Sequence, residues 1–146
     1  MFATSLFLIL VAIMRLILVK KSALSKDQAE YLSTRIDQPE HRQDMGPPRI
    51  WNVYPFGLFA FIHIEQNIPV AIAEASGTDF VSPGWWIDSA YRGQGYGNEL
   101  VDLLAEHLKA CGVKHVGLIP IQTNQRQCDL QSEKLAQRFR RHFEAQ

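Results

Sequence analysis

Apolar residues recur along this 146-residue chain at two different spacings, and each change of spacing marks a change of element. Leu100, Val101, Leu104, Leu108 and Cys111 return every three or four residues, with Glu99, Asp102, Glu106 and Lys109 mainly elsewhere on the wheel. That pattern predicts an amphipathic helix closed by Gly112. Residues 56–64 are apolar on both parities, as in a central strand covered on two faces, and Gln66-Asn67 turns the chain into a second strand over 68–74. Pro69 is tolerated there because the first position of a strand need not donate to the ladder. Ser25 is placed to cap a helix running to about Asp37, and 38–48 is a polar, proline-bearing connector. Residues 113–121 read as a further strand, so strand, glycine-rich turn, helix and strand follow one another as a βαβ unit.

In the turn of that unit, Trp85-Trp86-Ile87-Asp88 runs through Arg92-Gly93-Gln94-Gly95-Tyr96-Gly97-Asn98 into the helix. Glycine has no Cβ, so the backbone can bring a row of N–H groups against a phosphate, and the helix N-terminus adds unpaired donors and partial positive charge. A dinucleotide fingerprint begun at Gly93 and Gly95 needs glycine at 98, where Asn98 stands, and no Gly-Lys-Ser/Thr follows to make a P-loop. The pattern Arg-x-x-Gly-x-Gly fits, as Arg92, Gly95 and Gly97. In this the chain resembles the GNAT superfamily of acyl-CoA-dependent N-acyltransferases, whose signature wraps the pyrophosphate of coenzyme A. The flanks, Gly84-Trp85-Trp86-Ile87-Asp88 and Gly97-Asn98-Glu99-Leu100, are most similar to the branch that acetylates ribosomal-protein N-termini. The resemblance covers most of residues 14–143 and is strongest over 84–119.

The resemblance implies an α/β chain with the GNAT acyl-CoA N-acyltransferase fold, a mixed central sheet flanked by helices. It implies acetyl-CoA as acyl donor, with the pyrophosphate on Arg92, Gly93, Gln94, Gly95, Tyr96, Gly97 and Asn98, the pantetheine arm laid along backbone groups near Ile87, and Asp129 on the donor side. The implied reaction is direct attack on the thioester by a primary amine of a protein terminus, a peptide or a small molecule, with both substrates bound and no metal. The connector after the first helix would line the acceptor side. A backbone N–H near Ile87 or Asp88 would hold the developing oxyanion. Glu74, Asp88 and His63 are the candidate bases, in that order. Glu74 stands in step with Ile68, Val70 and Ile72, and desolvation at the end of that apolar row would raise its pKa and suit it to proton transfer. The other reading has the strand simply emerging into water at Glu74, and His63, in step with Phe59 and Phe61, reads also as a packed core histidine. Many relatives supply an acid as a tyrosine on the helix after the fifth strand. Here the pattern Asn-x-x-Ser-x-x-Leu-Ala maps onto residues 129–136, with Asp129 for asparagine and Ala136 where the tyrosine often sits. Ser132 is then the candidate donor, or the thiolate leaves unaided, as a thiol pKa near ~8.5 permits.

The length fits one domain, and 47% hydrophobic content is enough for a core. Fifteen Lys plus Arg balance fifteen Asp plus Glu, which removes the global basic field that argues for nucleic acid. Cys111 at a helix end and Cys128 in a polar loop make neither a secreted-type disulfide framework nor a metal pair, which fits a reducing cytoplasm. Residues 6–13 form an unbroken apolar run. With its continuation to residue 19 it includes Arg15 and is shorter than the roughly 20 residues that span a bilayer. It also lacks the basic start and cleavage site of a signal peptide. The family's opening strand and helix match Arg15-Leu16-Ile17-Leu18-Val19 and residues 24–32. Residues 14–146 are therefore the expected domain and 1–13 an apolar extension, with membrane attachment through residues 1–19 and an extra packed segment as the competing readings. At the other end Arg140-Arg141 stands where the family has Gly-Phe, so by resemblance the fold is truncated at the C-terminus and lacks a terminal hairpin. The strand at 116–121 would then keep a bare edge, which predicts a homodimer, while Pro120 is itself an edge-protecting device. Lys134, Arg138, Arg140, Arg141 and His142 read as a solvated helix face or as a contact for an acidic partner or phosphate. A catalytically weak or inactive binding module on the same fold, free or held at a membrane, is the second functional reading.

Overall fold

The computed structural model describes residues 14–39, 58–76, 80–116 and 126–144. The apolar extension 1–13, most of the acceptor-side connector and most of the strand expected over 113–121 lie outside them. In chain order the elements are β1 (Leu16–Lys20), α1 (Lys26–Ile36), β2 (Leu58–His63), β3 (Ile68–Ser76), β4 (Phe80–Ile87), α2 (Tyr96–Ala110), β5 (His115–Val116) and α3 (Arg126–Glu144). The strands form one sheet in that same order. β1 to β4 pair antiparallel and β5 pairs parallel to β4, so the sheet is mixed.

Local sequence explains most boundaries. Ser25 caps α1 by accepting the Gln28 N–H, while the Gln28 side chain accepts the Ser25 N–H, a reciprocal capping box. Asn67, at φ 57°, closes the β2–β3 turn in a conformation asparagine tolerates. The periodic leucines of α2 fall as predicted: Leu100, Leu104 and Leu108 are wholly buried, each stabilising the fold by about 2 kcal/mol. They pack with Leu16, Phe59, Phe61, Ala73 and Phe139 of α3 on one face of the sheet. The other face carries α1, with Leu32 against Ala60, Ile72 and Trp86.

Two expectations are corrected. Ile68, Val70, Ile72 and Glu74 do not share one face. Phe61 pairs with Ala71 but Ile62 with Pro69, so β3 carries an extra residue there. This bulge reverses the alternation, leaving Ile68 and Val70 with the α2 side and Ile72 with the α1 side. Cys128 lies within α3 rather than in a loop. The Arg126–Gln131 stretch lacks an apolar stripe but is rich in good helix formers. No helix among the described residues is long and apolar enough to cross a membrane.

Candidate functional site

β4 ends at Ile87, and the next residue organises everything that follows. The Asp88 N–H is given to the Val70 carbonyl (2.9 Å), its carbonyl accepts the Tyr91 N–H (2.8 Å), and its side chain accepts the Ala90 N–H (3.0 Å). This bends the chain into a short turn over Ser89–Tyr91. Arg92 Nε then donates back to the Ile87 carbonyl at 2.8 Å, and Gln94 Nε2 to the Ala90 carbonyl at 3.1 Å. Past this knot Gly93 (φ 75°) and Gly95 (φ 86°) take left-handed angles that other residues adopt only under strain. Gly95 is the N-cap of α2, and no side chain caps the first turn. The free N–H groups of that turn therefore face outward with the positive end of the helix dipole.

An open groove of ≈ 220 Å³ lies against this turn. Its floor is Gly93, Gly95 and Gly97, its apolar walls are Ile87, Tyr91 and Leu135, and its polar groups are Arg92, Asn98 and Lys134. Six of the residues expected to cradle a pyrophosphate, Ile87, Arg92, Gly93, Gly95, Gly97 and Asn98, are thus brought together. Gln94 turns its side chain back onto the loop, and Tyr96 is buried (6% exposed) in the support below, so either can offer only backbone to the groove. Asp129 and Ser132 lie on α3, but their side chains fall outside the described residues.

Gly97 has a role that the motif alone does not suggest. A Cβ there would stand 3.0 and 3.2 Å from the two methyls of Leu135, so its absence lets α3 close onto the first turn of α2. That approach carries Lys134 to the groove. Nothing in the local sequence marked Lys134 out from the solvated run around it, because its position depends on how two helices remote in sequence pack. Two others of the run are tied to α2: Arg138 makes a bidentate pair with Asp102 (2.9 and 2.7 Å), and His142 reaches Asp102 (2.7 Å) and Glu106 (3.2 Å), while Arg140 and Arg141 are exposed.

Arg15 supports α2 from below. Its N–H and Nε hold both oxygens of Glu99 at 2.9 Å, and its guanidinium stacks 3.8 Å over the Tyr96 ring. The Tyr96 hydroxyl meets His63 Nε2 at 3.0 Å, while His63 Nδ1 accepts the Gln66 N–H. Both ring nitrogens of this buried histidine are therefore engaged within the protein, as in a packing residue. Asp88 is similarly committed. It is 1% exposed and bound through both oxygens, at 2.8 Å each, to Arg35 of α1.

Glu74 differs from both. It pairs across the sheet with Gly84, and its Oε1 lies 2.9 Å from where a Gly84 Cβ would be, so the carboxylate extends over the bare backbone of β4. Oε2 is buried with no hydrogen-bond partner among the described residues, and desolvation raises the Glu74 pKa above the ordinary carboxylate value. Along β4, the Asp88 N–H points to β3, so by the alternation of an antiparallel ladder the Ile87 N–H points to the opposite edge. Asp88's N–H is thereby excluded as an oxyanion donor and Ile87's remains. Among the described residues β5 pairs with that edge only at Phe80 and Val81.

No curated protein sequence matches the chain. Solved structures do. One described as a ribosomal-protein-serine acetyltransferase from Vibrio cholerae superposes with a TM-score of 0.62 at 20% identity, over 86% of this chain and 79% of that one. The ribosomal-protein-S18-alanine N-acetyltransferase from Escherichia coli gives 0.54 at 17% identity, over 81% and 76%. AAC(6')-Ib in complex with Parmomycin and AcetylCoA gives 0.57 at 13%, over 86% and 82%. At these identities the likeness is one of fold. The family model for Acetyltransferase (GNAT) matches residues 24–135, well over half of the chain, and together with the β4–α2 glycine turn this makes the chain a member of the GNAT acetyltransferase family.

Proposed function

We propose that this chain transfers an acetyl group from acetyl-CoA to a primary amine. One observation carries the reading: the uncapped first turn of α2 and two left-handed glycines open into a groove that holds Arg92 and Lys134 and, among the described residues, no carboxylate. Such a surface suits a phosphate-bearing ligand. A side chain at Gly93 would project into open space, so the cradle is free to receive one. The pyrophosphate would lie on the turn, and the arm would follow the edge of β4 that faces away from β3. On that edge the Ile87 N–H is the donor placed for the thioester oxygen, where charge develops.

Further along the same strand lies Gly84, with Glu74 across it. Glu74 takes the proton that the amine nitrogen sheds as the C–N bond forms and the C–S bond breaks. A raised pKa serves this role, because a base works best with its pKa near the operating pH. Ser132 is the proposed donor to the departing thiolate. Asp88 and His63, whose polar atoms are bound within the fold, are supports of the site rather than its base. Two of the similar structures carry ribosomal-protein acetyltransferase names, so peptides with free N-termini are the first acceptors to test, ahead of small amines.

Calorimetry with acetyl-CoA followed by turnover on that panel tests the reading. Wild-type protein should bind the donor and acetylate at least one amine. Glu74→Gln should bind the donor equally well, turn over about 10²- to 10⁴-fold more slowly, and lose the rise of rate with pH that Glu74 ionisation produces. Absence of donor binding up to millimolar concentration would overturn the enzyme and favour a module that keeps only the fold.

A further inference from the structure

Most cations around the glycine turn are neutralised inside the protein. Arg15 is paired with Glu99, Arg35 with Asp88 and Arg138 with Asp102. Lys134 stands apart. It is exposed, it lines the groove, and no carboxylate among the described residues lies within ion-pair reach of it. Its placement is held by packing, since the neighbouring Leu135 seats both methyls in the notch left by Gly97, 3.0 and 3.2 Å from where a Cβ would stand. The packing of Leu135 thus sets Lys134, an ammonium with no carboxylate partner among the described residues, at the α3 side of the groove that the first turn of α2 also lines.

We propose that Lys134 is a donor-binding residue, whose ammonium takes a phosphate of the nucleotide end of coenzyme A and closes the site from the α3 side. The inference rests on the reading of the chain as acetyl-CoA-dependent. An anion held between the two helices is gripped by backbone dipoles on one side and by a full charge on the other. Lys134 therefore contributes to donor affinity and leaves the chemical step alone. The Gly97–Leu135 contact is then part of recognition as well as of packing, because it sets the reach of the lysine.

Calorimetry of wild type, Lys134→Gln, Lys134→Glu and Lys134→Arg, each with acetyl-CoA and with acetyl-dephospho-CoA, tests the proposal. For one charge-assisted contact at an exposed position, Lys134→Gln should weaken acetyl-CoA binding about five- to tenfold, Lys134→Glu more, and Lys134→Arg about twofold or less. The melting temperature of each should stay within about 2 °C of wild type, as for other surface substitutions. An equal loss with both donors assigns the contact to the pyrophosphate; a loss confined to acetyl-CoA assigns it to the 3′-phosphate. Either supports the proposal. A folded Lys134→Gln that binds acetyl-CoA as tightly as wild type overturns it while leaving the acetyltransferase reading intact. A wild type that binds no acetyl-CoA overturns that reading first.

Discussion

Replacing Gly97 by alanine sets two terms of opposite sign against each other. In the first turn of α2, alanine is favoured over glycine by about 1 kcal/mol of helix propensity. The new methyl, however, would meet the Leu135 methyls at 3.0 and 3.2 Å, while Ile87 Cδ1 at 3.5 Å is at ordinary contact distance. Relieving that overlap means moving α3 or forcing Leu135 off its rotamer, at roughly 2 kcal/mol within the usual range for overpacking. The net expectation is a loss of about 1 kcal/mol, or a melting temperature lower by about 3 °C for a domain of this size. Leu135→Ala removes the obstructing methyls and, for a half-buried leucine, costs about 2 kcal/mol by itself. In that background the propensity term stands alone, and Gly97→Ala should raise the melting temperature by about 3 °C. The coupling between the two positions is then about 2 kcal/mol, the size expected for residues in direct contact. Thermal and urea denaturation of the four proteins measures it. A Gly97→Ala single variant more stable than wild type, or effects that simply add, would refute the close approach of α3 to the cradle.

Asp88→Ala should destabilise by about 3 kcal/mol, because it takes the carboxylate from a largely buried Arg35 and removes the cap of the turn into the glycines; a urea midpoint near wild type would count against that structural role. Asp102 gives a pH prediction. Burial pushes its carboxyl up, but hydrogen bonds and charge from Arg138 and His142 outweigh this and hold it below the ordinary value of 3.8. A depressed pKa in the folded state stabilises above the unfolded value, and that stability is lost as pH falls through the folded one. Wild type should therefore exceed Asp102→Asn in stability above about pH 4 and lose the margin as pH falls below it, and a margin insensitive to acid would contradict the pairing.

Patterns short enough to lie within one element were legible directly. The α2 stripe, the Ser25 cap and the turn at Asn67 each depend on neighbours a few residues apart, so the sequence alone determines them. The same holds for the glycines at 93 and 95, since left-handed backbone angles restrict residue choice whatever the surroundings. The glycine turn into α2 was therefore readable before any fold was known. The structure decided what depends on contacts remote along the chain. A single extra residue in β3 moved Ile68 and Val70 to the opposite face from Ile72, and no alternation rule anticipates a bulge. Asp88 carried the same carboxylate as Glu74 in the sequence, but only packing shows that one is held by Arg35 while the other lies desolvated over Gly84. Lys134 looked like the arginines that follow it until the contact of Leu135 with Gly97 set it apart. Local steric preference is written in adjacent residues, whereas burial and charge compensation are properties of surfaces brought together by folding.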